Sequence, residues 1–268
     1  MPTVQHQGAR IHWEALGQGE PLVLVMGLGC SSAMWFRLAP RLARHFRVIV
    51  LDNRGVGRTE VEHFVVHRVA TMAADVAAVI EAAGYRSAHV LGISMGGMIA
   101  QQLVIDRPQW VRTLTLLATN CGGPHAVLAP APVWQLLFDK TDMPPREALE
   151  CMRPFTYARA TPAERIEEDH VVRLAQVPSA RGYKAQLYGL LGWTSYFGLQ
   201  RIERPTLVVH GTEDGLIPPA NGRVLARRIR GATLVELADA SHWIHTDQPE
   251  RTAEVVRDFI AGRSCASP

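Results

Sequence analysis

The chain has 268 residues, 47% of them hydrophobic and 20% charged, and a net charge of +3; its mean hydropathy is +0.02. This is the composition of a globular protein able to bury a sizeable core, and it excludes a disordered, collagenous or coiled-coil chain. The charges are scattered along the sequence without a basic stripe, so nucleic acid is not an expected partner.

In chain order, Arg10 to Ala15 alternates as a strand does, and Gly17-Gln18-Gly19 breaks it before Pro21, which predicts an edge hairpin. Leu22 to Met26 is a continuous apolar run suited to a strand buried on both faces, with a helix expected behind it over Ala33 to His45. The run extends only to Gly29, far short of the roughly 20 residues that cross a bilayer, and the polar N-terminus lacks a secretory apolar segment. A cytoplasmic protein with no membrane partner is therefore expected. The alternation continues with strand Arg47 to Asp52, a Gly-rich loop Asn53 to Thr59, helix Ala70 to Ala83, strand Ala88 to Ile93, helix Met95 to Ile105 and strand Thr113 to Ala118. It resumes with strands Thr206 to His210 and Thr233 to Leu237, each followed by a helix, the last being Thr252 to Ala261. Such an order predicts an α/β fold with a mostly parallel central sheet and helices on both faces.

Residues 121–200 interrupt this order with helix-like segments, several prolines and no convincing strand. They predict a helical lid (cap) inserted into a core domain made of residues 1–120 and 201–268. The stretch holds 9 of the 18 aromatic residues: Trp134, Phe138, Phe155, Tyr157, Tyr183, Tyr188, Trp193, Tyr196 and Phe197. Some must fill the lid's own core. An apolar lid over a pocket accounts for the concentration, because ligand sites in such sheets lie beyond the carboxyl ends of the strands, where the insertion begins.

Gly92-Ile93-Ser94-Met95-Gly96-Gly97 closes one predicted strand and opens a predicted helix, so the pattern G-x-S-x-G stands in the setting it requires. A sharp turn there forces the serine into a strained backbone conformation and presents its hydroxyl at the sheet edge. A serine is a poor nucleophile until a base takes its proton, and that base needs a carboxylate to orient it. His210-Gly211-Thr212-Glu213-Asp214 leaves one late strand and Ala240-Ser241-His242-Trp243 follows the next. Loops after successive parallel strands meet along one edge, so Ser94, Asp214 and His242 can converge.

The order Ser, Asp, His resembles that of the α/β-hydrolase fold superfamily. The resemblance covers about Ile11 to Ile260. It is carried by Met26-Gly27-Leu28-Gly29, Asp52-Asn53-Arg54-Gly55-Val56-Gly57, the Ser94 turn, His210 to Asp214, and His242 ahead of Gln248-Pro249-Glu250. It implies Ser94 as nucleophile, His242 as general base and then acid, and Asp214 as orienter of the imidazole. Glu213 is the rival of Asp214 and His245 the rival of His242; the position of the family's motif favours Asp214 and His242. The resemblance also places the oxyanion hole at the backbone N–H groups of Leu28 and Met95. Met26 stands where the family usually has histidine, which a main-chain donor tolerates. Asp52 to Gly57 is expected to brace the site, and Met26, Cys30, Trp35 and Cys121 fall near the same edge.

Cys30, Cys121, Cys151 and Cys265 lie far apart with no C-x-x-C pair, so ordinary thiols are expected rather than a disulfide framework or zinc site. His210, His242 and His245 lack H-E-x-x-H spacing and no dinucleotide fingerprint is present, so neither metal nor cofactor is expected. The resemblance implies hydrolysis of a small-molecule carboxylic ester or lactone. Alternatives are an enol-lactonase, a cofactor-free perhydrolase and a non-catalytic ligand sensor on the same fold. The lid aromatics and the lack of clustered charge suggest an uncharged or modestly polar substrate with an apolar acyl or alcohol part. Lys140 and Lys184 are the only lysines, so nearly all the positive charge is arginine, and no function attaches to that bias; the oligomeric state is left open.

Overall fold

The computed structural model describes residues 2–63 and 65–264. The chain opens with an antiparallel pair, β1 (Thr3–His6) and β2 (Ala9–Leu16), then enters β3 (Pro21–Val25). The long helix expected after β3 is instead a 3-10 turn, Ser32–Phe36, followed by the five-residue α1 (Leu38–Leu42). Pro40 explains the break: it has no N–H to give, and in a continuous helix its ring would collide with the carbonyl of Phe36. Next come β4 (Arg47–Leu51), the two-residue β5 (Glu60–Val61), α2 (Val69–Ala82), β6 (Ala88–Ile93), α3 (Met95–Asp106) and β7 (Val111–Leu117). β1 and β5 carry too short a pattern to be read from sequence.

Between β7 and β8 (Thr206–Gly211) lie four helices: α4 (Ala131–Asp139), α5 (Pro145–Thr156), α6 (Ala163–Leu174) and α7 (Ala180–Leu190). A single β-bridge, Gly122 to Thr194, pinches the two ends of this excursion together. The chain finishes with α8 (Ala220–Arg228), β9 (Thr233–Leu237), the short α9 (Ile244–Asp247) and α10 (Pro249–Ser264). Pro249 opens α10, where its missing N–H needs no partner.

The strands are ordered β1-β2-β4-β3-β6-β7-β8-β9, with β5 beside β2. β2 runs antiparallel to β4, and all pairings from β4 to β9 are parallel. From β3 the chain steps outward to β4 and then returns past β3 to β6. The loops after β3 and β6 thus flank the point where the winding reverses, which is where sheets of this kind bind ligands.

β3 is buried on both faces because alternate residues serve different layers. Val23 and Val25 join α2 and α3, whereas Leu22 and Leu24 join the layer of α1 and α10. On α2, Val69, Met72, Val76, Val79 and Ile80 recur at helical spacing and all face the first layer.

α7 meets the core main chain to main chain at two glycines. A Cβ on Gly182 would lie 2.2 Å from the Gly55 carbonyl oxygen, and one on Gly189 would lie 1.9 Å from that of His67. Between them, the buried Gln186 accepts from the Gly29 N–H at 2.8 Å and donates to the Arg54 carbonyl at 2.6 Å. Cys30, Cys121 and Cys151 are free thiols; Cys265 lies outside the described residues. No helix among the described residues is long and apolar enough to cross a membrane.

Candidate active site

Ser94 stands between β6 and α3 with φ 55° and ψ −123°. Such a conformation costs an L-residue about 1–3 kcal/mol and persists only where the surroundings enforce it. The Ser94 N–H donates to the Leu117 carbonyl at 3.0 Å, and the Ser94 carbonyl accepts from the Thr119 hydroxyl at 2.7 Å. Helix and strand close on one another through glycine. A Cβ on Gly92 would lie 2.1 Å from the Gly96 carbonyl oxygen, and one on Gly96 would lie 2.0 Å from that of Val25. The small residues of the G-x-S-x-G-G pattern are therefore steric requirements of the turn.

Asp214 follows β8 and His242 follows β9. The buried Asp214 carboxylate accepts at Oδ1 from the backbone N–H groups of Leu216 (3.0 Å) and Ile217 (2.7 Å). Its Oδ2 lies 3.0 Å from His242 Nδ1. A carboxylate only accepts, so Nδ1 carries the proton and Nε2 is the basic nitrogen of that ring. His210 Nε2 donates to the Ile217 carbonyl at 2.8 Å and stands 3.3 Å from the same Oδ2. Burial by itself raises the Asp214 carboxyl, but the charges and hydrogen bonds of His242 and His210 outweigh it and hold the group below its ordinary value. The second imidazole on this carboxylate was not anticipated; the four-residue spacing of His210 and Asp214 is its only trace in the sequence.

The two rivals are turned to other tasks. Glu213 accepts from the Arg159 N–H at 3.0 Å. His245 is buried with its ring 5.1 Å from that of Trp35 and 5.4 Å from that of Trp243. Burial, with the charges of His242 and Arg37, lowers His245 to about 3. Asp247 holds the His242 loop from behind: it accepts from the Ser241 N–H at 2.7 Å and the Thr161 hydroxyl at 2.6 Å. Burial raises its carboxyl to about 6.

Ser94 and His242 line one cavity of about 70 Å³, and Leu28 and Met95 line it too. Gly27 lets the loop after β3 approach closely, since a Cβ there would lie 3.2 Å from that of Ser94. The loop is fixed from outside. Asn53 donates to the Met26 carbonyl at 2.9 Å, and Gln186 holds the Gly29 N–H from α7. Asp52, fully buried, accepts from the backbone N–H groups of Ser32 (2.7 Å) and Arg58 (2.8 Å). The segment Asp52 to Gly57 is thus a brace.

The chamber differs from the aromatic one expected. Of the nine aromatics between residues 121 and 200, only Trp134 lines it, and Tyr183 lines the cavity beside it. Phe197 is 71% exposed, Tyr188 is 44% exposed, and Tyr196 stacks on His125 at 3.7 Å. Aliphatic side chains do most of the lining: Leu137, Met152, Leu187, Leu190, Leu216 and Ile217. Met26, Trp35 and Cys121 are packed in the core, and only Cys30 borders a cavity, the adjacent one. On α5 and α6, Glu150, Glu167 and His170 bring three donor atoms within 4.8 Å of one another, but Arg146 pairs with Glu167 at 2.7 Å. The group is an ion-pair cluster, and none of its three residues lines the cavity of Ser94.

Comparison with known proteins agrees with this architecture. The family model of the alpha/beta hydrolase fold matches residues 20–249. The chain is 30% identical to a poly(3-hydroxyalkanoate) depolymerase of Ectopseudomonas oleovorans, over 90% of this chain and 84% of that protein. Among solved structures, a thermophilic esterase from Thermogutta terrifontis superposes with a TM-score of 0.83 at 27% identity, covering 95% of this chain and 94% of that one. The enol-lactonase from Burkholderia xenovorans LB400 superposes with a TM-score of 0.84 at 25% identity, covering 97% and 100%. The chain belongs to the α/β-hydrolase fold family.

Proposed function

We propose that this α/β-hydrolase cleaves carboxylic esters or lactones of small molecules through an acyl-enzyme formed on Ser94. The observation that carries the reading is the strained Ser94 on the same cavity as His242, whose Nδ1 is bonded to the buried Asp214. In the first half-reaction the Ser94 hydroxyl proton passes to His242 Nε2 as Oγ bonds to the carbonyl carbon. Leu28 and Met95 N–H groups hold the oxygen that gains charge, each worth a few kcal/mol in the transition state. The tetrahedral adduct collapses, the C–O bond to the alcohol breaks, and His242 returns the proton to the leaving oxygen. A water then gives a proton to Nε2, attacks the acyl carbon and releases the acid, and Ser94 recovers its proton. Asp214 stays ionised throughout and stabilises the imidazolium; no cofactor enters.

Residues 121–200 act in this reading as a cap over the core formed by 1–120 and 201–268, and their helices α4 to α7 roof the chamber. The names of the esterase, depolymerase and lactonase relatives support ester and lactone chemistry. The test is hydrolysis of short p-nitrophenyl esters with Ser94→Ala as control, together with fluorophosphonate labelling. Turnover and labelling are expected for the wild type and neither for the variant. Retained turnover in folded Ser94→Ala overturns the assignment, and a labelled wild type that turns over no ester or lactone supports the sensor alternative instead.

A further inference from the structure

Two cavities meet under the helices between β7 and β8. One is the chamber of Ser94 and His242. The other, of about 120 Å³, lies beside it and is walled by Met34, Ala148, Leu149 and Leu174 among others. Lys140, just past α4, and Arg173, on α6, line both cavities, so the two cations stand at the junction. No aspartate or glutamate lines either cavity.

Both side chains are partly buried, and both are held by aromatic faces. The Lys140 ammonium sits 4.3 Å from the centre of the Tyr183 ring, and the Arg173 guanidinium 5.3 Å from that of Trp243. No carboxylate is among the groups acting on Lys140; burial and then the charge of Arg173 lower it to about 8. Arg173 bonds to the Tyr157 hydroxyl, which donates to Asp169 at 3.1 Å. Asp169 is taken up by Arg37 and by the Thr246 hydroxyl at 2.7 Å. Burial and the Arg173 charge weigh against the Lys140 ammonium, whereas Tyr157 and Asp169 help to offset burial at Arg173; an anion placed beside the ammonium offsets the Lys140 penalty.

We propose that Lys140 and Arg173 form an anion subsite, and that the preferred substrates of the Ser94 site are esters or lactones bearing a carboxylate. The inference rests on the hydrolase reading above and replaces the uncharged or modestly polar substrate expected from sequence. The carboxylate accepts from the ammonium and the guanidinium. The methylenes joining it to the scissile carbonyl lie along Leu137, Met152 and Leu187, and Ser94 takes the carbonyl. Fork-shaped donation from arginine is well matched to a carboxylate, and a charge-assisted hydrogen bond in such a site is worth a tenfold or larger preference.

The test compares monoethyl adipate with ethyl hexanoate, which differ by a carboxylate in place of a terminal methyl. Wild-type enzyme should favour the half-ester in kcat/KM. In Lys140→Met/Arg173→Met the ratio of the two kcat/KM values should fall by about tenfold or more, chiefly through KM for the half-ester, and Arg173→Lys should keep part of the preference. A wild type that favours the neutral ester, or a double variant that loses both activities in parallel with the ratio unchanged, overturns the subsite. If the wild type hydrolyses neither ester and escapes fluorophosphonate, the hydrolase reading fails separately. The subsite is then judged by calorimetric binding of adipate: binding that the double variant loses supports it, and no binding to the wild type overturns it.

Discussion

Replacing Ser94 should make the protein more stable, provided the replacement also removes the Cβ. Ser94 has φ 55° and ψ −123°, a region that disfavours any L side chain by about 1–3 kcal/mol and that glycine enters freely. Ser94→Ala deletes the hydroxyl and keeps the strain; Ser94→Gly deletes both. Glycine gives back about 0.5–1 kcal/mol through the greater freedom of the unfolded chain. The difference between the two variants is then about 0.5–2 kcal/mol in favour of Ser94→Gly. For a chain of this size that corresponds to a melting temperature a few degrees higher. Urea unfolding and calorimetry of the two purified variants measure it directly, and since both lack the hydroxyl, the comparison isolates the backbone. A Ser94→Gly protein no more stable than Ser94→Ala would refute the claim that the turn stores strain.

Other consequences follow from the partners of each group. Asp214→Asn puts an amide where His242 Nδ1 donates, so kcat should fall by about 10³–10⁴ with little change in KM; steady-state kinetics at neutral pH show it. Gln186→Leu leaves the Gly29 N–H and Arg54 carbonyl without their side-chain partner, a loss of about 2–4 kcal/mol for two buried groups, and it loosens the Leu28 loop, lowering kcat; denaturant titration and kinetics read the two effects. The Asp247 carboxyl is raised from 3.8 to about 6 by burial, so the folded state binds its proton more tightly than the unfolded one. Its contribution is complete below pH 3.8, declines as pH rises through 6, and amounts to about 2–3 kcal/mol. Asp247→Asn should flatten that stretch of the stability profile, and an unchanged slope contradicts the assignment.

The parallel sheet was legible because its signals are local: continuous apolar runs for β3 and β6, and glycines at 92, 96 and 97 where helix and strand close. The positions of Ser94, Asp214 and His242 were legible because loops after parallel strands share an edge. What sequence reading missed depends on contacts between distant segments. His210 stands beside the Asp214 carboxylate while its Nε2–H donates a hydrogen bond to the Ile217 carbonyl, and Gln186 reaches Gly29 across 157 positions. Aromatic content misled for a physical reason. Tyr188 and Phe197 face solvent and Tyr157 serves an ion-pair network, so counting rings between 121 and 200 did not identify the walls. Lys140 stands just past α4 and Arg173 on α6, and no linear pattern joins them. The break in the helix after β3 was in the sequence all along, at Pro40.

The seating of α7 on Gly182, Gln186 and Gly189 fixes that helix against the loop after β3. With main chain resting on main chain at 55 and 67, α7 has no side-chain cushion on which to slide, and lifting it would strip the Gly29 amide of its partner. α4 is tied to the same helix, the Tyr183 hydroxyl donating to the Leu137 carbonyl at 2.9 Å.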